Sequence, residues 1–335
     1  MTGLLLNLFQ GMCASTRLSD GALTDTNCPQ LPSLIQKLED SIYFKRKNGS
    51  DHIIIHSINH MMLFYLNKNC QKLYKICESC LKLSIDHYSS AVYPELNNMP
   101  HLVRNWISIP FPSNIHQNPS SNAIMSYERI LHERNYFPKI YQKERTHQFC
   151  FIGNIEVTAT KQRNLRKKIL QFCSSYSQDC YSQQLPSHSS NVPFLSSSSG
   201  NRYEHCKMCF IPGGDFPTRK AFFDALLSGC IPIIFQEETA MLQWPYHWQS
   251  RQQAEQSVYF YPRDKFMTQT LEENYQQLST IVTNQTFLLE RIQMIAKIGD
   301  RLQYDIIQPQ WKTVFRQEHE KDAFQVIIDI IANFH

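Results

Sequence analysis

The sequence predicts an α/β protein built on parallel sheets covered by helices, and three observations carry that expectation. Short apolar runs recur at strand length, among them Ile53-Ile54-Ile55, Phe149-Cys150-Phe151-Ile152 and Ile231–Phe235. Stretches of helical periodicity, not tight turns, separate these runs. Residues 206–235 then lay out one complete unit of strand, glycine loop, helix, stop and second strand. Strands alternating with helices give parallel sheets with both faces covered.

Along the chain, Leu4–Phe9 reads as a short apolar segment, and the sequence is irregular up to Pro32. A helix is expected over Ser33–Ile42, followed by a basic turn, Lys45-Arg46-Lys47-Asn48-Gly49-Ser50, and the strand Ile53–Ile55. Helical stretches around His60–Asn67 and Gln71–Cys80 precede a strand near Leu83–Ile85. The strand of Asn105–Ile109 ends in the turn Pro110-Phe111-Pro112. From Pro112 to Gln142 the composition turns polar, which marks a connection between domains. A new strand over Arg145–Gly153 leads into a basic helix, Gln162–Leu170. Ser174–Gly200 is serine-rich without periodicity and reads as a mobile surface insertion. After the central unit, a strand is expected within Ser257–Pro262, and helices over Leu271–Gln303 and Ala323–Phe334. No internal repeat is present.

The central unit carries the chemistry. Gly213-Gly214-Asp215 lets the backbone turn tightly and approach a ligand. Thr218 suits the N-cap of the following helix and Arg219 its first turn. A cation there opposes the helix dipole, and a bound diphosphate would supply the reason for it. The helix is expected to bury Phe222, Ala225 and Leu226 and to stop at Gly229.

With 335 residues the chain can hold two domains. A net charge of +4, from 33 basic and 29 acidic residues, is too mild for a nucleic-acid binder and compatible with an anionic small substrate. No run approaches the roughly 20 apolar residues of a membrane span. Eleven cysteines include two CxxC pairs, Cys77–Cys80 and Cys206–Cys209, too far apart for a compact zinc ribbon. Cys209 and Cys230 read as buried thiols, whereas Cys173 and Cys180 flank a short loop that a disulfide could close. The sequons Asn48-Gly49-Ser50 and Asn284-Gln285-Thr286 fit a lumenal protein.

Gly214-Asp215, Thr218-Arg219-Lys220, Phe223-Asp224 and Gly229-Cys230-Ile231-Pro232 together resemble, in register, the exostosin-type glycosyltransferases (glycosyltransferase family 47) of the plant xyloglucan-galactosyltransferase branch. An Asp51-His52 before an apolar strand, the Pro110-Phe111-Pro112 exit and the Phe151-Ile152-Gly153 turn before an arginine-bearing helix extend the resemblance. It implies two facing Rossmann-like halves of GT-B type. Residues 1–142 would be a partial acceptor-side domain with its connection, and residues 143–335 the nucleotide-sugar half. Only about two convincing strands precede Pro112, so the first half reads as truncated. A membrane anchor would belong to a segment absent from this chain.

The resemblance further implies an inverting transfer from a UDP-sugar to a glycan acceptor on the lumenal side of the Golgi, with homo- or hetero-oligomers an open possibility. No Asp-x-Asp is present to cradle a divalent ion, so no metal cofactor is expected. Gly153, Arg166, Gly213, Gly214, Thr218, Arg219 and Asp224 are the candidate nucleotide-sugar residues. Lys220 is expected to be solvated. Arg166, within Arg163–Lys168, fits a solvated basic face as well as a site. Asp224 fits a ribose acceptor or an ion pair with a neighbouring helix. Trp244, Tyr246, His247 and Trp248 could stack on a ligand or close the core. His56 and His60 are the candidate bases, because they follow a strand's carboxyl end; the family's His-Asp reads Ile58-Asn59 here. The competing expectations are an inactive paralogue that binds nucleotide or glycan, and a metal-binding module on the CxxC pairs.

Overall fold

The computed structural model describes residues 5–7, 31–50, 52–56, 72–73, 75–84, 105–110, 145–157, 159–185, 203–214, 217, 219–241, 247–248, 250–302, 304 and 322–333. The chain divides into two compact units, Met1–Ile109 and Pro110–His335. The expected boundary between residues 142 and 143 lies outside the described residues.

The first unit holds a four-stranded sheet of β1 (Leu5–Asn7), β2 (Ile53–His56), β3 (Leu81–Ser84) and β4 (Trp106–Ser108), in that order. All three pairings are parallel, with Leu5 opposite Ile53, Ile53 opposite Leu81 and Lys82 opposite Trp106. Two strands seemed convincing in the sequence; four are described, and Leu5–Asn7 supplies one of them. The helix expected over 33–42 starts earlier, as α1 (Leu31–Asp40), and breaks at Ser41. The Ser41 hydroxyl accepts from the Phe44 amide and caps α2 (Ile42–Arg46). Phe44 then folds over Gly49, whose φ is +76° and whose missing Cβ would lie 2.7 Å from the ring.

In the second unit, β5 (His147–Gly153), β6 (Cys180–Gln184), β7 (Cys206–Ile211), β8 (Ile231–Ile234) and β9 (Tyr259–Phe260) form a wholly parallel sheet. The strand order is β6-β5-β7-β8-β9. Both sheets are Rossmann-like, as the alternation predicts. Strands in such sheets are apolar on both faces because helices cover both. Every residue of β8 is accordingly buried, and so is all of β7 except Lys207. The long α3 (Thr160–Ser175) connects β5 to β6, and α4 (Lys220–Leu227) connects β7 to β8. Phe149, Phe172, Phe210, Phe222 and Phe223 are fully buried between these layers, and burying each such ring contributes about 1.5–3 kcal/mol.

Several expectations are met or corrected here. Phe222, Ala225 and Leu226 are buried as predicted. The helix stops at Gly229, with φ +69°, where the Cys230 amide donates back to Ala225 O at 2.9 Å. Cys173 and Cys180 form the local disulfide their spacing allows. Cys209 and Cys230, read as thiols, are bonded to one another. Cys209 therefore pairs with Cys230 and not with Cys206 of its own CxxC motif, and the buried sulfurs of Cys150, Cys209 and Cys230 lie within 4.8 Å of one another. The serine-rich insertion is shorter than expected, since Cys180–Gln184 is an edge strand; residues 186–202 lie outside the described set.

The helical run 271–303 is two helices, α8 (Leu271–Thr283) and α9 (Gln285–Leu302), after the short α5 (Glu238–Met241), α6 (Arg251–Gln256) and α7 (Arg263–Thr268). They part at Asn284, whose side chain accepts from the Phe287 amide and caps the second helix. The last helix, α10 (Ala323–Ala332), is capped by Asp322, which accepts from the Gln325 amide at 2.7 Å. Trp248 is fully buried and donates to Ala240 O, so it closes the core; Trp244 and Tyr246 lie outside the described residues. Among the described residues, no helix is long and apolar enough to cross a membrane.

Candidate functional site

Strand order locates the site. From β5 the chain passes to β6 on one side, and the next strand, β7, lies on the other. In open parallel sheets such a reversal leaves a crevice at the carboxyl ends of the two central strands, where ligands bind. Here those ends are Gly153-Asn154 after β5 and Pro212-Gly213-Gly214 after β7.

Arg166 joins them. Arg166 is only 2% exposed, which corrects the reading of a solvated basic face. Nε and Nη2 donate to Gly213 O at 3.2 and 2.8 Å, and Nη1 donates to Asn154 O. Arg has a rigid fork of donors, so one side chain can bind two loops at once. Gly153 ends β5 beside this fork, where a Cβ would be in ordinary contact with Nη1 at 3.7 Å and tight only against the Phe151 ring at 3.3 Å. The neighbouring cations are anchored too. Arg163 donates to Val157 O, and Lys168 donates to Met267 O at 2.8 Å and to Gln269 O. Partial burial pulls the Lys168 ammonium below its ordinary range.

The helix after the glycine loop begins one residue later than predicted, at Lys220. Arg219 occupies the N-cap position with extended backbone (φ −143°, ψ 135°) and makes no side-chain cap bond. Its guanidinium lies against Gly214, so closely that a Cβ at 214 would overlap Nη1. Only glycine admits that approach. The half-buried Arg219 therefore stands at the mouth of the glycine loop. Thr218 and Asp215 lie outside the described residues.

Asp224 is buried, and both its oxygens accept from Lys220 Nζ at 2.8 Å. The Lys220 expected to be solvated is therefore a partner of Asp224, within the same helix. The i, i+4 spacing was the signal that sequence reasoning passed over.

Two further residues were missed. Gln162, in the first turn of α3, donates from Nε2 to Gln236 Oε1 at 3.2 Å. Gln236 lies two residues past the end of β8, after Phe235. Both amides lie 2.9 Å from the Cβ that Gly213 lacks. Nothing local in the sequence marks them, because they meet across 74 residues.

His247, offered as a stacking or core residue, is fully buried, and burial drives its imidazole down to about 3. His56 ends β2, although its side chain is not described, and His60 lies outside the described residues. His52 is buried edge-on to Phe44, with ring centroids 5.0 Å apart.

Residues 3–249 match the family model for the exostosin GT47 domain. The chain belongs to the exostosin GT47 family. That match takes in the whole crevice, from Gly153 to Gln236. Among curated relatives, the chain is similar to "Probable xyloglucan galactosyltransferase GT19" of Arabidopsis thaliana, 27% identical over 162 residues that cover 45% of this chain and 33% of that protein. Xyloglucan galactosyltransferase XLT2 of Arabidopsis thaliana is 23% identical over 237 residues, covering 67% of this chain and 38% of that protein. This exostosin chain therefore spans about a third of the length of the curated relatives it matches. Among solved structures, the pneumococcal O-GlcNAc transferase GtfA in complex with UDP and GlcNAc shows a distant likeness. Its TM-score is 0.41 at 10% identity, covering 88% of this chain and 64% of that one.

Proposed function

We propose that this chain is a glycosyltransferase domain that moves a sugar from a UDP-sugar to a glycan acceptor, inverting the anomeric centre without a metal ion. The observation that supports this best is the Arg166 clasp, which holds two loops together at the switch point of the second sheet. Transfer requires compensation of the charge that develops on the departing diphosphate. Arg219, laid against Gly214, is the side chain best placed to supply it, with the main-chain amides of Gly213 and Gly214 and the start of α4 as partners. Arg166 then acts one step back, fixing the backbone that meets the phosphates. Lys220, held by Asp224, adds a positioned ammonium at the same helix start.

For deprotonating the acceptor, His56 and His60 are the candidate bases. The relatives carry xyloglucan galactosyltransferase in their names, so a UDP-hexose and a polysaccharide acceptor are the natural first substrates to try. Asn48 and Asn284 are both exposed, which suits glycan addition to a domain in the Golgi lumen.

The test is titration of the full chain with UDP and a panel of UDP-sugars, read by thermal shift, followed by UDP-release assays with and without excess chelator. Wild type should gain stability with UDP, and any turnover should survive chelation. Absence of a shift with every uridine diphosphate would overturn the proposal.

A further inference from the structure

Gln162 Oε1 is buried and makes no hydrogen bond. Its own amide nitrogen is engaged by Gln236 Oε1, so the group cannot turn over without losing that bond. An acceptor left so is destabilising, and a fold keeps one where something else completes it. The place is specific. Gln162 comes from the helix after β5, Gln236 from the end of β8, and the two amides close over Gly213, where any side chain would displace them. Gly213 O is the carbonyl that Arg166 holds.

We propose that Gln162 and Gln236 form the sugar-reading edge of the donor site, with Gln162 Oε1 accepting a hydrogen bond from a sugar-ring hydroxyl of the bound donor. This rests on the reading that a nucleotide sugar lies over Gly213-Gly214. An amide oxygen requires a ligand that donates. Phosphate oxygens and ionised carboxylates have no proton to give, so they belong to the Arg219 side. A sugar hydroxyl donates and accepts together, which matches a carboxamide pair that offers both. Both ribose and the transferred sugar carry such hydroxyls.

Calorimetric titration of the full chain with UDP and with UDP-galactose separates the possibilities. Gln162→Leu should weaken UDP-galactose about tenfold while changing the melting temperature of the ligand-free protein little, because it removes the unpaired buried acceptor together with the donor to Gln236 Oε1. Loss confined to UDP-galactose identifies the transferred sugar, and an equal loss for UDP identifies ribose. Gln162→Glu, which keeps the size and sets a negative charge beside the phosphates, should weaken both ligands. If both variants bind like wild type, whatever their melting temperatures, the amide pair is structural and the proposal falls. If wild type binds neither ligand, the donor-site reading itself fails, which is a different result.

Discussion

Lys82 in the first unit and Arg166 in the second are both buried cations satisfied by main-chain carbonyls, yet only one of them shapes a crevice. Lys82 donates to Glu78 O and Cys80 O, four and two residues away, at 3.2 and 3.1 Å. It closes a local turn beneath a sheet whose described strands follow one another without reversal. Arg166 reaches 12 and 47 residues along the chain, to loops that leave neighbouring strands where the order reverses. The same physical device, a charge solvated by carbonyls, stabilises in one place and organises a site in the other. Burial of a charge does not make a site; its position at the carboxyl edge of a switch point does.

Paired substitutions can break that comparison. Arg166→Met should cost about 3 kcal/mol and abolish detectable UDP binding. Lys82→Met should cost a similar amount and leave UDP affinity within twofold of wild type. Urea denaturation and calorimetry read the two effects separately. If Lys82→Met also abolishes binding, the distinction is wrong. Next in size, Arg219→Ala should raise the dissociation constant for UDP by about 10- to 100-fold with little change in melting temperature. Gly214→Ala should weaken UDP through the same guanidinium, so the double variant with Arg219→Ala should be no worse than the worse single one.

The smallest effect concerns His247. Its folded-state value of about 3 lies below the ordinary 6.5 because burial disfavours the charged ring. The unfolded chain therefore takes up a proton that the folded chain refuses, and stability falls as pH drops from about 6.5 toward 3. His247→Leu should flatten that part of the urea-midpoint profile relative to wild type.

The readable parts of this molecule were those written locally. Apolar runs announced β2, β5 and β8, and glycines announced the loop at Gly213-Gly214 and the stop at Gly229, because backbone conformation is set by the residue itself. Residues whose meaning depends on distant partners were not legible. Arg163–Lys168 has the composition of a solvated face, and only the fold brings Gly213 and Met267 within reach of Arg166 and Lys168. Cys209 and Cys230 looked like independent apolar positions until β7 and the end of α4 placed them together. The amide pair of Gln162 and Gln236 depends on three loops meeting, which no spacing encodes. Asp224 is the exception: its partner sits four residues earlier, and the pairing was open to reading.

Hydrogen–deuterium exchange of the full chain with and without UDP tests the central claim most directly. Protection should concentrate in the amides of residues 153–157, 213–214 and 219–221. Tight UDP binding that leaves those segments unprotected and shields another part of the chain would contradict it.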